Sequence, residues 1–481
     1  MRNTPTTIPG SVGTAWLALA IIAQLIWTIW CARLSICADP SLALGYISLQ
    51  GGDHFSYIGA MENLITHGEY SFINFRGEKV LAGRLPHYAA PYYVLRSFMG
   101  AAWASDAMVV LQAIMLGIAI WLLARAARRC TGSHTAGLVA LLCLSACPYA
   151  APYACKLLPD AFAMALLTIA WYLLDMTLRE RSRGTRALLG LALAALVVLK
   201  PYFAILYAIV PIIWLFNRWN LRTIAKRTIA LGVPVLVLLS PWWIRNALVL
   251  HRFFPFQQDL VAGYGYRPAE LRMRDLLALM GDDATTFWSP GTMACLMQKD
   301  PPLPCTCEWP AHLSANEKKG LDRLRADHHS YQVGGITDEK MVAEIDRTIL
   351  AYRQEYPFRA HALNRLLRVK RFLVNSGSYH LPVHRTNPCF TLPQMVPKLA
   401  ASVGYWLSLT GLVMALFVGF TGDRSLWVWC VPAGYLLILF PLALGWIEWR
   451  YFSSVFLIDL WLFVVVLERT WTRLQHGRAT P

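Results

Sequence analysis

Residues 107–124 read AMVVLQAIMLGIAIWLLA, a run without a single charge, and the chain leaves it through Arg125, Arg128 and Arg129. A helix needs roughly 20 mostly apolar residues to cross the ~30 Å hydrocarbon layer of a bilayer. Arginines clustered at one end of such a helix mark the side that stays in the cytoplasm. The same grammar recurs along the chain. Apolar stretches at about 14–33, 134–151, 160–177, 228–243, 398–420, 426–446 and 451–467 alternate with short basic clusters. Only 15% of the 481 residues are charged, against about 25% in soluble proteins, so this is a chain built for lipid.

The first apolar stretch, Trp16 to Cys31, competes with a cleaved signal peptide. No A-x-A-like site follows it and Arg33 comes at once, so it reads as an uncleaved first helix. Leu34-Ser35-Ile36-Cys37 is a poor lipoprotein box because Ile36 is too large for its position. The stretch 187–216 is basic at both ends. Lys200-Pro201 in its middle offers a break, since proline removes a backbone donor and disfavours helix in the residue before it. The pattern therefore predicts two short helices there and about ten crossings in all. That count puts both termini in the cytoplasm and the two long polar segments outside. The net charge of +16 might suggest nucleic acid, but its clusters (Arg179, Arg181, Arg183 and Arg186; Arg218, Arg222, Lys226 and Arg227; Arg469, Arg473 and Arg478) flank apolar stretches, as topology signals do. No nucleic-acid partner is expected.

The predicted fold is an all-α polytopic membrane protein. Residues 1–256 form an N-terminal transmembrane region with an exterior loop at 37–105, residues 257–397 a larger exterior helix-containing domain, and residues 398–481 the C-terminal helices and a cytoplasmic tail. An amphipathic helix is expected at about 338–370. Cys143, Cys147 and Cys430 fall in apolar runs and read as small core residues. Cys295, Cys305, Cys307 and Cys389 lie in the polar segment, where one or two disulfides fit better than zinc. His54, His87 and His380 read as polar surface residues, and the pair His328-His329 has no ligand spacing.

The exterior loop carries Gly51-Gly52-Asp53-His54-Phe55-Ser56-Tyr57, with Asp53 at a helix entry where a carboxylate suits the free N–H groups. Tyr57, Met61 and Leu64 follow on one face. Further on come Gly68-Glu69-Tyr70 and Gly83-Arg84-Leu85-Pro86-His87-Tyr88. Later segments supply Leu158-Pro159-Asp160 after a short Pro/Tyr/Lys turn, Lys200-Pro201, Pro241-Trp242-Trp243-Ile244-Arg245-Asn246 and Glu448-Trp449-Arg450-Tyr451. In this order, over about 1–260 and 400–467, the set resembles the GT-C glycosyltransferases, a superfamily that includes the protein O-mannosyltransferases and the lipid A aminoarabinose transferases. The resemblance implies a GT-C-like arrangement of the helices and inverting transfer of a monosaccharide from a polyprenyl-phosphate carrier to a glycan, lipid or protein acceptor at the outer face of a bacterial cytoplasmic membrane. It implies Asp53 as the base.

The residue types suit that chemistry. A carboxylate can take the acceptor's proton, and a departing lipid phosphate needs cations placed in advance. Arg84, Lys200, Arg245 and Arg450 all fall at the exterior bilayer edge on the predicted map, where they are expected to hold the donor phosphate. Tyr57, Tyr88, Asp160 and Trp242 are expected to border the substrates. Interfacial anchoring by snorkelling side chains and aromatic belts is the plainer explanation for any one of them. Some relatives bind a divalent ion through paired acidic residues. Here Asp53-His54 stands where some have Asp-Glu, and Asp282-Asp283 is the only adjacent acidic pair in the exterior domain, so no metal or other cofactor is expected. A transporter of the lipid-linked sugar is the competing class, but the internal symmetry usual in transporters is not visible.

Overall fold

The computed structural model describes residues 10–74, 76–180, 182–257, 265–280, 314–332, 334–374, 377–378, 380–421, 424–444 and 448–477. Those residues are overwhelmingly helical; among them the only strands are the short antiparallel pair Phe72–Ile73 and Lys79–Val80. Among the described residues, seven helices are long and apolar enough to cross a membrane, against the ten crossings expected: Gly13–Ala38, Ala101–Thr131, Asp160–Glu180, Leu221–Leu250, Leu392–Gly419, Ser425–Leu444 and Arg450–Gln475. The chain is thus a multi-pass membrane protein.

Two expected helices take a different form, and the stretch between them in sequence breaks where its Lys200-Pro201 pair indicated. The stretch expected as one helix at 134–151 bends by 41° between His134–Ala146 and Pro148–Ala154. Pro148 supplies no donor to the preceding turn, which breaks the ladder. Between 183 and 216 the break falls at Lys200, which is extended (φ −143°, ψ 98°) between the helix Arg183–Leu199 and the 3-10 turn Pro201–Ile205 that opens Leu206–Phe216. Helix Leu221–Leu250 runs well beyond the expected 228–243, so the Pro241-to-Asn246 motif lies inside it rather than after it.

Local signals set the other ends. Helix Ala101–Thr131 stops at Gly132, in the left-handed region (φ 74°) with its N–H on the Arg128 carbonyl. Arg128 and Arg129 sit in that last turn, where cations oppose the helix dipole. Ser133 then caps the next helix through Ala136 N. Helices Met395–Thr421 and Phe456–Gly477 touch so closely at Gly411 that a Cβ there would lie 2.5 Å from the Asp459 carbonyl oxygen, the small-residue contact by which helices pack in lipid.

Three hydrophobic clusters organise the described residues. One fills the space between the spanning helices, with Trp171, Trp214, Trp429 and Trp461 wholly buried in it. The second lies where the loop after the first helix folds onto helix ends, with Tyr57, Tyr88, Tyr92 and Trp242 inside. The third joins Pro268–Leu279, Ala315–Gln332 and Asp338–Glu355. The amphipathic stretch expected at 338–370 divides at Tyr356 and resumes as helix to Leu373. Asp106, just before the expected 107–124 helix, sits inside helix Ala101–Thr131 and accepts from the N–H groups of Tyr46 and Ile47 at 2.8 and 2.9 Å, pinning the loop's entry.

Cys389 is disulfide-bonded to Cys37, across 352 residues of sequence. The pairing was not anticipated, because Cys37 lay beside a lipid-facing run and Cys389 in a different polar segment. Cys295, Cys305, Cys307 and the pair Asp282-Asp283 lie outside the described residues.

Candidate active site

A cavity of about 560 Å³ opens where the loop, the helix breaks and the last spanning helices meet. Its wall begins at Gly51-Gly52-Asp53. Asp53 does not cap the following helix with its side chain. Its backbone carbonyl accepts from Ser56 instead, and a π-helical turn, Phe55–Gly59, carries Tyr57 inward before Ala60–His67 continues. Apolar residues at 57, 58, 60 and 61 are all buried, which seats this short helix and leaves the Asp53 carboxylate pointing along the cavity wall.

Two guanidinium groups meet that carboxylate. Arg450 Nη2 donates to Asp53 Oδ2 at 2.9 Å, and Arg84 Nη2 lies 3.7 Å from the same oxygen. Arg84 also stands over the Tyr57 ring, 4.9 Å from its centroid, and donates to Gln257. Arg450 is shared: its Nε pairs with Glu448, making a chain of two carboxylates and two guanidiniums. Burial by itself would raise the Asp53 pKa, but Arg450 and Arg84 outweigh it and hold the carboxyl below its ordinary value. Glu448 goes the other way, because burial outweighs Arg450 and the neighbouring Asp53 disfavours a second negative charge.

Deeper in the cavity Lys200 Nζ donates to Asp160 Oδ1 at 2.6 Å, with both side chains nearly sealed from solvent. The extended backbone at Lys200 and the helix start at Asp160 face each other across 40 residues, so the two helix breaks are tied by one ion pair. Lys200 also lies 4.9 Å from the Tyr451 ring centroid.

Of the residues singled out in the sequence, Asp53, Tyr57, Arg84, Asp160, Lys200 and Arg450 line this one cavity. Arg245, Tyr88 and Trp242 do not. Arg245 donates to the carbonyls of Leu81 and Tyr70 and to Asn246 Oδ1, so it fastens the loop to helix Leu221–Leu250. The loop turns leave those carbonyls without strand partners, and a guanidinium with five donors suits them. Tyr88 is buried, its hydroxyl 3.3 Å from Gln112 Oε1, and it packs edge-on against Tyr57. Trp242 is buried with its indole N–H on the Phe256 carbonyl.

His380, read from sequence as a surface residue, lines the cavity beside Tyr153. Burial, then Lys156, pushes its pKa down to about 4, so it is neutral at neutral pH. His54 and His87 are half-buried and bonded to the carbonyls of Gly51 and Leu238. Lys156, Tyr153, Tyr202, Glu448 and Tyr451 also line the cavity. Glu448 and Tyr451 stood in a quoted motif without an assigned role, and Lys156 in the Pro/Tyr/Lys turn. For Tyr202 the sequence offered only its place beside Pro201, at the helix break. Among the described residues no three His, Cys, Asp or Glu side chains form a group able to hold a metal ion.

Residues 92–244 match the family model described as dolichyl-phosphate-mannose-protein mannosyltransferase. No curated protein matches the chain. Among solved structures, the Archaeoglobus fulgidus oligosaccharyltransferase tethered to an acceptor peptide is 14% identical, with a TM-score of 0.49 over 97% of this chain and 51% of that one. ArnT from Cupriavidus metallidurans bound to undecaprenyl phosphate is also 14% identical, with a TM-score of 0.37 over 95% of this chain and 78% of that one. The chain thus spans about half the length of the oligosaccharyltransferase. The matched segment runs from the loop into helix Leu221–Leu250 and contributes Asp160 and Lys200 to the cavity, so this part of the chain is similar to that mannosyltransferase family.

Proposed function

We propose that the protein is a membrane glycosyltransferase that moves a monosaccharide from a polyprenyl-phosphate carrier to an acceptor hydroxyl on a glycan, lipid or protein. The single observation that carries this reading is the Asp53 carboxylate set between Arg450 and Arg84 on the wall of a cavity of about 560 Å³. In a ligand-free site the two guanidiniums neutralise Asp53. A donor phosphate entering beside them offers a second anion to the same cations, which loosens their hold on the carboxylate and makes it the stronger base. Asp53 then takes the proton from the acceptor hydroxyl, its oxygen attacks the anomeric carbon from the face opposite the phosphate, and the carbon–oxygen bond to phosphate breaks. The configuration inverts. Charge growing on the leaving phosphate falls on Arg84 and Arg450, already in place. Arg245, by contrast, spends its donors on the loop, so its part is to hold the loop that carries Asp53 and Arg84. The Lys200–Asp160 pair fixes the floor of the cavity.

The cavity faces the outer side of a bacterial cytoplasmic membrane in this proposal, with both termini in the cytoplasm and the 257–397 region outside, a reading that the basic clusters at 125–129, 179–186 and 218–227 support. The test is to incubate purified protein with a panel of polyprenyl-phosphate sugars and an envelope extract as acceptor, and to follow polyprenyl phosphate release. Release of polyprenyl phosphate with sugar appearing on the acceptor is the expected result. Uptake of intact lipid-linked sugar across vesicles without release would instead indicate transport.

A further inference from the structure

The helix ending at Leu373 is amphipathic in an uncommon way. Ala360, Asn364, Arg368 and Phe372, four residues at i, i+4 spacing, are all buried. Asn364 reaches the Leu279 carbonyl at 2.8 Å, and Arg359, a turn earlier, pairs with Glu317 at 3.1 Å. At the other end Phe372 packs on Phe440 and Phe452. The helix therefore bridges the 268–355 cluster and the spanning helices. Its other side is exposed and mainly apolar around Lys370: Phe358 is 72% and Leu366 63% exposed, with Leu363, Leu367 and Val374 beside them. The helix packs against Ile438–Leu444, the end of a spanning helix on which Ile438 is itself exposed.

Arg368 is the anomaly. It is 6% exposed, its Nε is sealed from solvent with no hydrogen-bond partner, and no carboxylate of the described residues pairs with it. Burial, then the nearby Arg365, presses its pKa down to about 10, so it remains charged at neutral pH. A buried, unpaired guanidinium is costly, and an anion beside it removes that cost. Arg365 stands one turn away on the flank of the same helix, and neither Arg365 nor Lys370 has an ion pair among the described residues. The apolar face fixes where the anion comes from, because an amphipathic helix with basic flanks settles at the boundary between acyl chains and headgroups.

We propose that helix 357–373 lies in the membrane surface and that Arg368, with Arg365, binds the phosphate of an anionic bilayer phospholipid. The site is separate from the cavity and does not depend on the transferase reading. The bound lipid would complete the seam between the 268–355 cluster and the spanning helices, with Phe358 and Leu366 among the upper acyl chains.

Native mass spectrometry of the purified full chain, titrated separately with phosphatidylglycerol, phosphatidylcholine and inorganic phosphate, tests the site. Retention of phosphatidylglycerol over phosphatidylcholine, reduced about tenfold in Arg368→Gln and restored in part by Arg368→Lys, is expected. Equal retention by wild type and Arg368→Gln overturns the proposal. So does inorganic phosphate competing on equal terms, which would make this a free-anion site. Photocrosslinking gives an answer even where Arg368→Gln folds poorly. With p-benzoylphenylalanine at position 366 in lipid nanodiscs, a lipid adduct is expected on irradiation. Absence of lipid adducts, or a protein adduct in native membranes instead, overturns the membrane placement.

Discussion

Two acid–base pairs line the same cavity, and they differ chiefly in what surrounds them. Lys200 and Asp160 meet at 2.6 Å with side chains 7% and 3% exposed. Arg450 and Asp53 meet at 2.9 Å with side chains 22% and 21% exposed. A pair closed off from solvent has no exchange partner, so each charge depends wholly on the other, and breaking it leaves an uncompensated buried ion. A pair on an open wall can trade its partner for an incoming anion. The same residue chemistry thus serves as a fixture in one place and as a displaceable contact in the other. The third cation, Arg245, is a fixture of another kind, bound to carbonyl oxygens rather than to a carboxylate.

The sharpest way to break this contrast is to remove one member of the closed pair. Asp160→Asn or Lys200→Met is expected to cost about 3–5 kcal/mol, read as a large drop in thermal unfolding temperature in detergent. The double variant should cost less than the sum of the two, since neither charge is stranded. Additive losses would mean that the pair is not coupled. The disulfide comes next. Cys37→Ser is expected to cost about 2–4 kcal/mol, with Cys389→Ser giving the same loss, and with the difference between oxidised and reduced wild-type protein vanishing in either variant.

Arg245→Leu separates the two kinds of cation. It removes hydrogen bonds from a charged donor to the loop carbonyls, worth about 1.5–3 kcal/mol, so stability should fall while activity per folded molecule is largely kept. Arg84→Leu should do the reverse. If Arg245→Leu abolishes transfer in protein of unchanged stability, Arg245 belongs with the phosphate-binding groups after all.

The smallest effect is a pH dependence from His380. Its folded pKa is about 4, below the unfolded value near 6.5. Between those values the unfolded chain binds the extra proton, so stability falls as pH drops from about 6.5 to 4, by roughly 1–3 kcal/mol. His380→Gln should flatten the unfolding temperature over that range, and an unchanged slope would assign the dependence elsewhere.

Much of this was legible in the sequence because lipid imposes simple rules. The spanning helices announced themselves as strongly apolar runs, most of them with basic flanks, and the break at Lys200-Pro201 followed from proline's missing donor. The helix ends were less legible. Helix Leu221–Leu250 extends several turns past its most apolar core, since helix in a folded protein continues wherever tertiary packing supports it. At the site, sequence pointed to the right types of residue but could not say which polar groups would be used up by their neighbours. Arg245 and Arg450 are both arginines in aromatic motifs near a helix end. Only the fold reveals that the first faces loop carbonyls and the second a carboxylate. His380 was discounted because it stood alone, and Lys156 was read only as part of a turn; long-range packing brings both to the cavity. The link between Cys37 and Cys389 was hidden for the same reason, because sequence spacing carries no information across 352 residues.

The most direct test of the central claim is a comparison of Asp53→Asn with Glu448→Gln in matched membranes, measuring polyprenyl phosphate released from a polyprenyl-phosphate sugar alongside thermal unfolding. The account predicts that Asp53→Asn loses roughly 10²–10⁴-fold in rate with its unfolding temperature nearly unchanged, and that Glu448→Gln loses less. Full activity in Asp53→Asn, or a collapse confined to Glu448→Gln, would contradict it.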